Sequence, residues 1–167
     1  MDLLPAPESG MAGSAQSMEV SADAARQYLT AAIGQLLEGA CGMPAVEGTE
    51  VPLPPGEAAV GVLSLVGHPE WTVFLALPSG TAEDLVRRFA GFEVPFDSPD
   101  MDDATGEFAN IFCGQLKAVL DQQGLVVELS LPTVLRTDAQ AALRSIGEVR
   151  SFRFGCEAGD FNAGIVY

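Results

Sequence analysis

Residues 102–120, DDATGEFANIFCGQLKAVL, carry apolar side chains on one side of a helix and a narrow polar stripe on the other. At about 100° per residue, Phe108, Phe112 and Leu116 share one face, and the stripe occupies roughly 60° of arc on the opposite face. A helix with two such faces has to bury the apolar one, so we predict a long helix, ending at Gly124, that packs on another layer. The stripe consists of Asp103, Glu107, Asn110 and Gly114.

Two more helices are predicted from the spacing of apolar residues and from capping residues. The first begins after Ser21, which suits the N-cap position, and ends at Gly39 or Gly42. The second is shorter: residues 79–83 are predicted to cap it, and Gly91 is predicted to end it. The chain is therefore predicted to have two long helices and a shorter one.

Apolar runs rich in β-branched and aromatic residues predict the strands. The turn-like residues 67–70 and 157–160 each join two such runs, so we predict two antiparallel hairpins. A further strand is predicted to be broken by Pro132, and residues 138–145 are predicted to form a short helix. The predicted strands are 58–66, 71–77, 125–131, 149–156 and 161–167.

The order of these elements is helix, hairpin, helix, helix, strand, hairpin, so helices do not alternate with parallel strands. We therefore predict an α+β fold in which the helices pack on an antiparallel β-sheet. With 167 residues and 48% hydrophobic content, the chain is expected to form one domain over residues 21–167. Residues 1–20 are rich in Pro, Gly, Ser and Ala without an apolar period, which is typical of a flexible N-terminal tail.

The two long helical segments also resemble each other. Residues 23–37 align without gaps on residues 103–117 and share five of fifteen residues. Either the chain has two related halves, or two amphipathic helices match by chance. If the repeat is real, Gln27 and Thr30 occupy the places of the glutamate and asparagine of the stripe, so the first copy has lost the charged chemistry.

The charge balance argues against several classes of partner. Eight basic and 23 acidic residues give a formal net charge of -15, which repels nucleic acid and anionic membrane surfaces. No run approaches the roughly 18 apolar residues needed to span a bilayer, and the first residues lack the pattern of a signal sequence. We expect a cytoplasmic protein with no nucleic-acid or membrane partner.

The sequence offers little for nucleophilic or metal-dependent chemistry. Cys41, Cys113 and Cys156 are odd in number and far apart, so free buried thiols are expected rather than disulfides or a zinc site. His68 is the only histidine; we interpret it as a turn residue, and no Ser-His-Asp or Cys-His arrangement can be assembled. We therefore expect no metal or cofactor of the protein's own.

Two interpretations of the polar stripe remain open. It can be a solvated face, because acidic residues are favourable at the start of a helix. Against this, Asn110 is a poor residue for the middle of a helix, and Gly114 costs up to about 1 kcal/mol relative to alanine. The missing side chain of Gly114 permits close approach of a docked partner. Lys117, the only lysine, lies beside the stripe and is either a solvated charge or a group that steers a phosphate.

The spacing Asp103-x3-Glu107-x2-Asn110, within DATGEFANIFCG, resembles the signature of the CheC/CheX/FliY chemotaxis phosphatases. In that signature Asp or Ser is followed after three residues by Glu and after two more by Asn. The single copy of the motif on the second long helix, the VGVLSLVG hairpin and the LSLPTVL segment are most similar to CheX. The resemblance spans about residues 22–167 and implies a CheX/CheC-like fold with pseudo-repeated halves.

The resemblance implies hydrolysis of the aspartyl phosphate on the receiver domain of a CheY-type response regulator. By similarity, Asn110 holds the attacking water and Glu107 pairs with the receiver's active-site lysine, while the receiver itself holds Mg²⁺. Asp103 and Gly114 are expected to contact the docked receiver.

Other functions remain open beside a phosphatase. One is a non-catalytic CheX-like module that binds a receiver domain or another signalling protein through the same helix, and another is a purely structural dimer unit. Retention of both Glu107 and Asn110 favours the phosphatase, because a binding surface has no need of an amide that holds water. The resemblance also implies a homodimer formed through the sheets, and the aromatic runs near Trp71 and Phe161 are compatible with sheet edges.

Overall fold

The computed structural model describes residues 19–45 and 47–167. The described chain has the three helices predicted from apolar spacing, and the short helix predicted over residues 138–145 is also present. The predicted flexible tail falls outside the described residues except for Glu19 and Val20, so that prediction stays untested. The helices are α1 (Ala22–Cys41), α2 (Ser79–Ala90), α3 (Pro99–Gln122) and α4 (Ala139–Arg144).

The strands of the described chain form one antiparallel sheet, in the order β1-β6-β7-β3-β2-β4, with β5 also paired to β2. The predicted α+β class, with helices packed on an antiparallel sheet, is confirmed. Both predicted hairpins are present, although the second one turns at residues 157–158 rather than over four residues. The strands are β1 (Thr49–Glu50), β2 (Glu57–Gly67), β3 (Trp71–Pro78), β4 (Val127–Leu129), β5 (Thr133–Asp138), β6 (Val149–Cys156) and β7 (Gly159–Val166).

The ends of α1 are set by the predicted residues. The Ser21 hydroxyl accepts a hydrogen bond from the backbone N–H of Ala24 at 3.1 Å, and Gly42 ends the helix in the left-handed conformation with φ of 65°. Both features are standard helix caps. The prediction for α2 is partly wrong: Pro78 occupies its N-cap position and no side chain caps it, because residues 79–83 are already helical. Gly91 ends α2 as predicted.

The edge formed by β4 and β5 differs from the prediction. The strand is broken at residues 130–132, as predicted for Pro132, but the break is a β-bulge, after which pairing with β2 resumes. Leu129 pairs with Leu65 and Thr133 pairs with Val62, so the edge contains one more residue than the opposing stretch of β2. We call residues 130–132 the bulge. The resumed strand β5 and the two-residue strand β1 were both missed by the sequence analysis.

The main core lies between one face of the sheet and the helices α1, α2 and α3. Phe108, Phe112 and Leu116 of α3 have no exposed surface, as the helical pattern predicts. A smaller cluster on the other face of the sheet packs under α4. α3 approaches β2 so closely that a Cβ added to Gly61 would lie 2.5 Å from the Cβ of Ala109. This contact fixes the height of α3 above the sheet.

The suggested use of aromatic runs as sheet edges is wrong. Trp71 lies on β3 and Phe161 on β7, and these two strands pair with each other in the middle of the sheet. Strand order depends on contacts between distant segments, which a local pattern does not reveal. The outer strands are β1 on one side and β4 with β5 on the other.

Candidate active site

The polar stripe of α3 faces outward. Asp103, Glu107, Asn110 and Gly114 are all exposed, whereas the opposite face of the helix is buried in the main core. A Cβ built on Gly114 would meet no neighbouring atom within 4 Å. We call these four residues the α3 ridge. A partner can therefore reach the ridge along about three turns of helix.

The polar side chains of the ridge are not used to hold the fold together. No hydrogen bond or ion pair joins Asp103, Glu107 or Asn110 to another residue of the described chain through its side chain. The glutamate carboxylate and the asparagine amide stand three residues apart, which places them on adjacent turns of one rigid helix. They are available to bind the same partner at once.

The ridge is fixed in position by contacts on the side of α3 that faces the edge strand. Arg136 of β5 forms a two-pronged ion pair with Asp102, with distances of 2.9 Å from Nε to Oδ1 and 3.2 Å from a terminal nitrogen to Oδ2. The same guanidinium donates to the carbonyl of Phe96 at 3.2 Å. The sequence analysis missed this pair, because it rests on β5. The β-branched residues of 133–138, TVLRTD, are the signal that could have predicted this strand.

Lys117 ties the other end of the ridge to the same edge. Its Nζ donates to the carbonyl of Val127 at 2.6 Å and lies 3.8 Å from a carboxylate oxygen of Asp121. The lysine is therefore held against the edge strand rather than freely solvated, and its suggested role in steering a phosphate stays a prediction. The N-terminal part of α3 is left acidic, with Asp97 and Asp100 exposed beside the ridge. This face therefore attracts a basic partner surface.

The equivalent positions on α1 do not offer the same chemistry. The amide of Gln27 donates to Asp23 at 3.2 Å, and the hydroxyl oxygen of Thr30 is buried without a partner among the described residues. The described part of α1 thus carries no free carboxylate and amide pair at these places. The internal repeat itself stays a prediction.

Two of the three cysteines, Cys41 and Cys113, are poor nucleophiles. All three are free; Cys113 is buried, whereas Cys41 and Cys156 are half-buried, which partly corrects the prediction of buried thiols. Burial raises the pKa of the Cys113 thiol to about 12 and, as the main cause, that of the Cys41 thiol to about 11. Thiols with such pKa values stay protonated at neutral pH and are unreactive.

The described residues contain no candidate metal site and no candidate membrane span. Across residues 19–45 and 47–167, no three side chains of His, Cys, Asp or Glu group together in a way that could hold a metal ion. Within the same ranges, no helix combines the length and apolar character needed to cross a bilayer.

Solved structures of chemotaxis proteins share this fold. The chemotaxis protein CheX of Vibrio vulnificus superposes with a TM-score of 0.68 at 16% identity, over 84% of this chain and 93% of that one. A complex of CheX with CheY, BeF3 and Mg²⁺ from Borrelia burgdorferi gives 0.66 at 15% identity, over 84% and 94%. FliY of Thermotoga maritima gives 0.62 at 17% identity, over 86% and 88%.

The sequence comparison agrees with the structural one. No curated protein is similar enough in sequence to match the chain. Residues 59–156, more than half of the chain, match the family described as chemotaxis phosphatase CheX. This segment runs from Ala59 within β2 to Cys156 at the end of β6, and it includes the whole of α3 with its exposed ridge. The protein belongs to the CheX family of chemotaxis phosphatases.

Proposed function

We propose that this protein is a cytoplasmic phosphatase that hydrolyses the aspartyl phosphate of a CheY-type receiver domain in two-component signalling. The observation that carries the proposal is the α3 ridge, on which Glu107 and Asn110 are exposed, free of partners and one turn apart on a fixed helix. Membership of a phosphatase family supports hydrolysis. The similar Borrelia burgdorferi structure, a complex of CheX with CheY, supports a receiver as the partner.

The proposed mechanism divides the chemistry between the two proteins. The receiver carries the phosphoryl group and an active-site lysine, and the Mg²⁺ that it holds neutralises charge on the phosphoryl oxygens. This protein needs to supply only position: a docked surface, and a water molecule held in line with the bond that breaks. Positioning of this kind lowers the barrier because the entropy of bringing the reactants together is lost on binding.

Asn110 is proposed to hold the attacking water. Its amide oxygen accepts a hydrogen bond from water, and its NH₂ group donates to a phosphoryl oxygen. A carboxylate at the same place would repel the negative charge on the phosphoryl group. The amide is therefore the group whose hydrogen bonds suit both water and phosphate.

Glu107 is proposed to pair with the receiver's lysine, which sets the orientation of the two docked surfaces. Asp103 lies one turn before Glu107 and is proposed to contact the receiver; α3 begins at Pro99, so Asp103 lies beyond the first turn and is not a helix-start residue. Gly114 is proposed to allow the receiver to lie close to the helix, because nothing fills the space above it. Each of these roles concerns docking, whereas Asn110 alone is assigned to the water.

Replacing Glu107 with alanine is expected to weaken receiver binding about ten-fold and to slow dephosphorylation, because the receiver's lysine loses its charged partner. The measurement follows loss of phosphate from a panel of phosphorylated receivers of the same organism, with binding measured in parallel. Glu148→Ala, which removes an exposed carboxylate far from α3, is the control and should change neither quantity. If the wild type binds a receiver tightly but leaves its rate of phosphate loss unchanged, the protein is a binding module instead.

A homodimer is also part of the proposal, on the basis of the resemblance to CheX. In the described chain, β1 on one side of the sheet and β4 with β5 on the other are the edges open to pairing with a second copy. Sedimentation equilibrium is expected to give twice the chain mass at micromolar concentration. A single-chain mass over that range would contradict dimerisation and leave the phosphatase proposal standing.

A further inference from the structure

An exposed leucine lies beside the α3 ridge. Leu131, the middle residue of the bulge, is 88% exposed, more than any other large hydrophobic side chain of the described chain. Single exposed apolar residues are common on protein surfaces, so exposure alone does not indicate a function. The position of the leucine and the way its backbone is held are what make it informative.

The bulge lies against the part of α3 that carries the ridge. Lys117 bonds to the carbonyl of Val127 before the bulge, at 2.6 Å. At the other end of the bulge, a Cβ built on Gly106 would lie 4.0 Å from Pro132, the last residue of the bulge. The same Cβ would lie 3.4 Å from a methyl of Val134, which follows the bulge. The edge strand therefore runs antiparallel along α3 from residue 117 to residue 106. Residues 130–132 lie beside the stretch between these points, which is where the glutamate and asparagine of the ridge stand.

The exposed position of Leu131 is imposed by hydrogen bonds. Ser130 pairs with Ser64 twice: its N–H donates to the Ser64 carbonyl at 3.0 Å, and its hydroxyl oxygen accepts from the Ser64 N–H at 2.9 Å. The same hydroxyl donates to the carbonyl of Leu131 at 3.0 Å. Pro132 then fixes its own backbone angle. A bulge of this kind at a sheet edge redirects a side chain, and here it points an apolar one at the solvent next to the ridge.

We propose that Leu131 is an apolar contact of the docked receiver domain, and that the receiver presents an apolar surface beside its active-site lysine. This inference rests on the proposed function. The arrangement has the anatomy of a specific interface, with one apolar anchor bordered by charged groups. The charged groups are the free carboxylates of Glu107 and Asp103 on the neighbouring ridge, which are proposed to meet basic groups of the receiver. The apolar contact adds affinity and selects among receivers that all share the same catalytic lysine.

Leu131 does not touch the reacting atoms, so its contribution is the same before and during hydrolysis. A contact of this kind changes KM and leaves kcat unchanged. A change in KM without a change in kcat distinguishes Leu131 from Asn110, whose loss lowers kcat. It also distinguishes Leu131 from a residue that is needed only for folding.

The test compares Leu131→Ser with Leu135→Ser in the full chain. Leu135 is 41% exposed on the same edge strand, but it alternates with Val134, which faces α3, and so lies on the opposite face of the sheet. KM for the phosphorylated receiver is measured with kcat, and Kd is measured for the receiver loaded with beryllofluoride and Mg²⁺. We expect Leu131→Ser to raise KM and Kd about ten-fold, with kcat within about two-fold of wild type, and Leu135→Ser to change none of them.

The inference is overturned if Leu131→Ser keeps the wild-type KM and Kd, or if both variants raise KM equally. The proposed function is then unaffected, because the wild type still accelerates phosphate loss. If the wild type binds the receiver but does not dephosphorylate it, the proposed function fails, and the Kd comparison alone decides on Leu131. If no receiver of the organism binds, both proposals are rejected.

Discussion

Replacing Asn110 with alanine is expected to lower kcat for receiver dephosphorylation by about 100-fold or more, while receiver binding stays within about two-fold of wild type. The side chain is exposed and makes no contact that the fold needs, so the variant should be as stable as the wild type. What it loses is the group proposed to hold the water in line. Single-turnover decay of phosphorylated receiver, with Kd measured separately, gives both quantities.

Asn110→Asp makes the prediction sharper, because it keeps the size of the side chain and changes only its charge and hydrogen bonds. A carboxylate cannot donate to a phosphoryl oxygen and repels its negative charge, so this variant should be at least as slow as the alanine variant. Gln122→Ala, an exposed substitution near the end of the same helix, serves as the control and should behave as wild type. An aspartate variant with near-normal kcat would show that the amide does not hold the water.

Gly61→Ala is expected to destabilise the fold by about 1–3 kcal/mol, because the added methyl would lie 2.5 Å from the Cβ of Ala109 and α3 would have to move away from β2. Urea unfolding measures the loss. Since α3 carries the ridge, the fraction that remains folded should also dephosphorylate the receiver more slowly.

Two further variants separate overpacking from a general effect of substituting glycine. Gly34→Ala, in the middle of α1 with no neighbour within 4 Å of the new methyl, should raise the free energy of unfolding by about 0.5–1 kcal/mol. Combining Gly61→Ala with Ala109→Gly removes the clash, so the double variant should be more stable than the sum of the single effects. A Gly61→Ala protein as stable as wild type would contradict the close contact between α3 and β2.

Helix periodicity predicted the candidate site because the relevant information is local. The position of Glu107 and Asn110 relative to Phe108 and Phe112 follows from the helical repeat alone, and the structure places the first pair outside and the second inside. The α1 caps at Ser21 and Gly42 are likewise encoded within a few residues. The specific roles of the ridge residues came only from the resemblance, and they remain proposals.

The sheet edges were not predictable in the same way. Residues 133–138 begin right after Pro132, which ordinarily ends a strand, and β5 forms only because a bulge lets the chain pair again with β2. β1 has two residues, too few for any periodic signal. The central places of Trp71 and Phe161 likewise depend on pairing between β3 and β7, which are far apart in sequence. Each of these features is decided by long-range contacts.

The most direct test of the account is the structure of this protein bound to its receiver, with beryllofluoride and Mg²⁺ in place of the phosphoryl group. The account predicts that α3 lies across the receiver's active site, with the Glu107 carboxylate at hydrogen-bond distance, about 3 Å, from the receiver's lysine. The Asn110 amide should reach the open side of the beryllofluoride directly or through one water. A receiver bound through another surface, or one that leaves Asn110 in bulk solvent, would contradict the central claim.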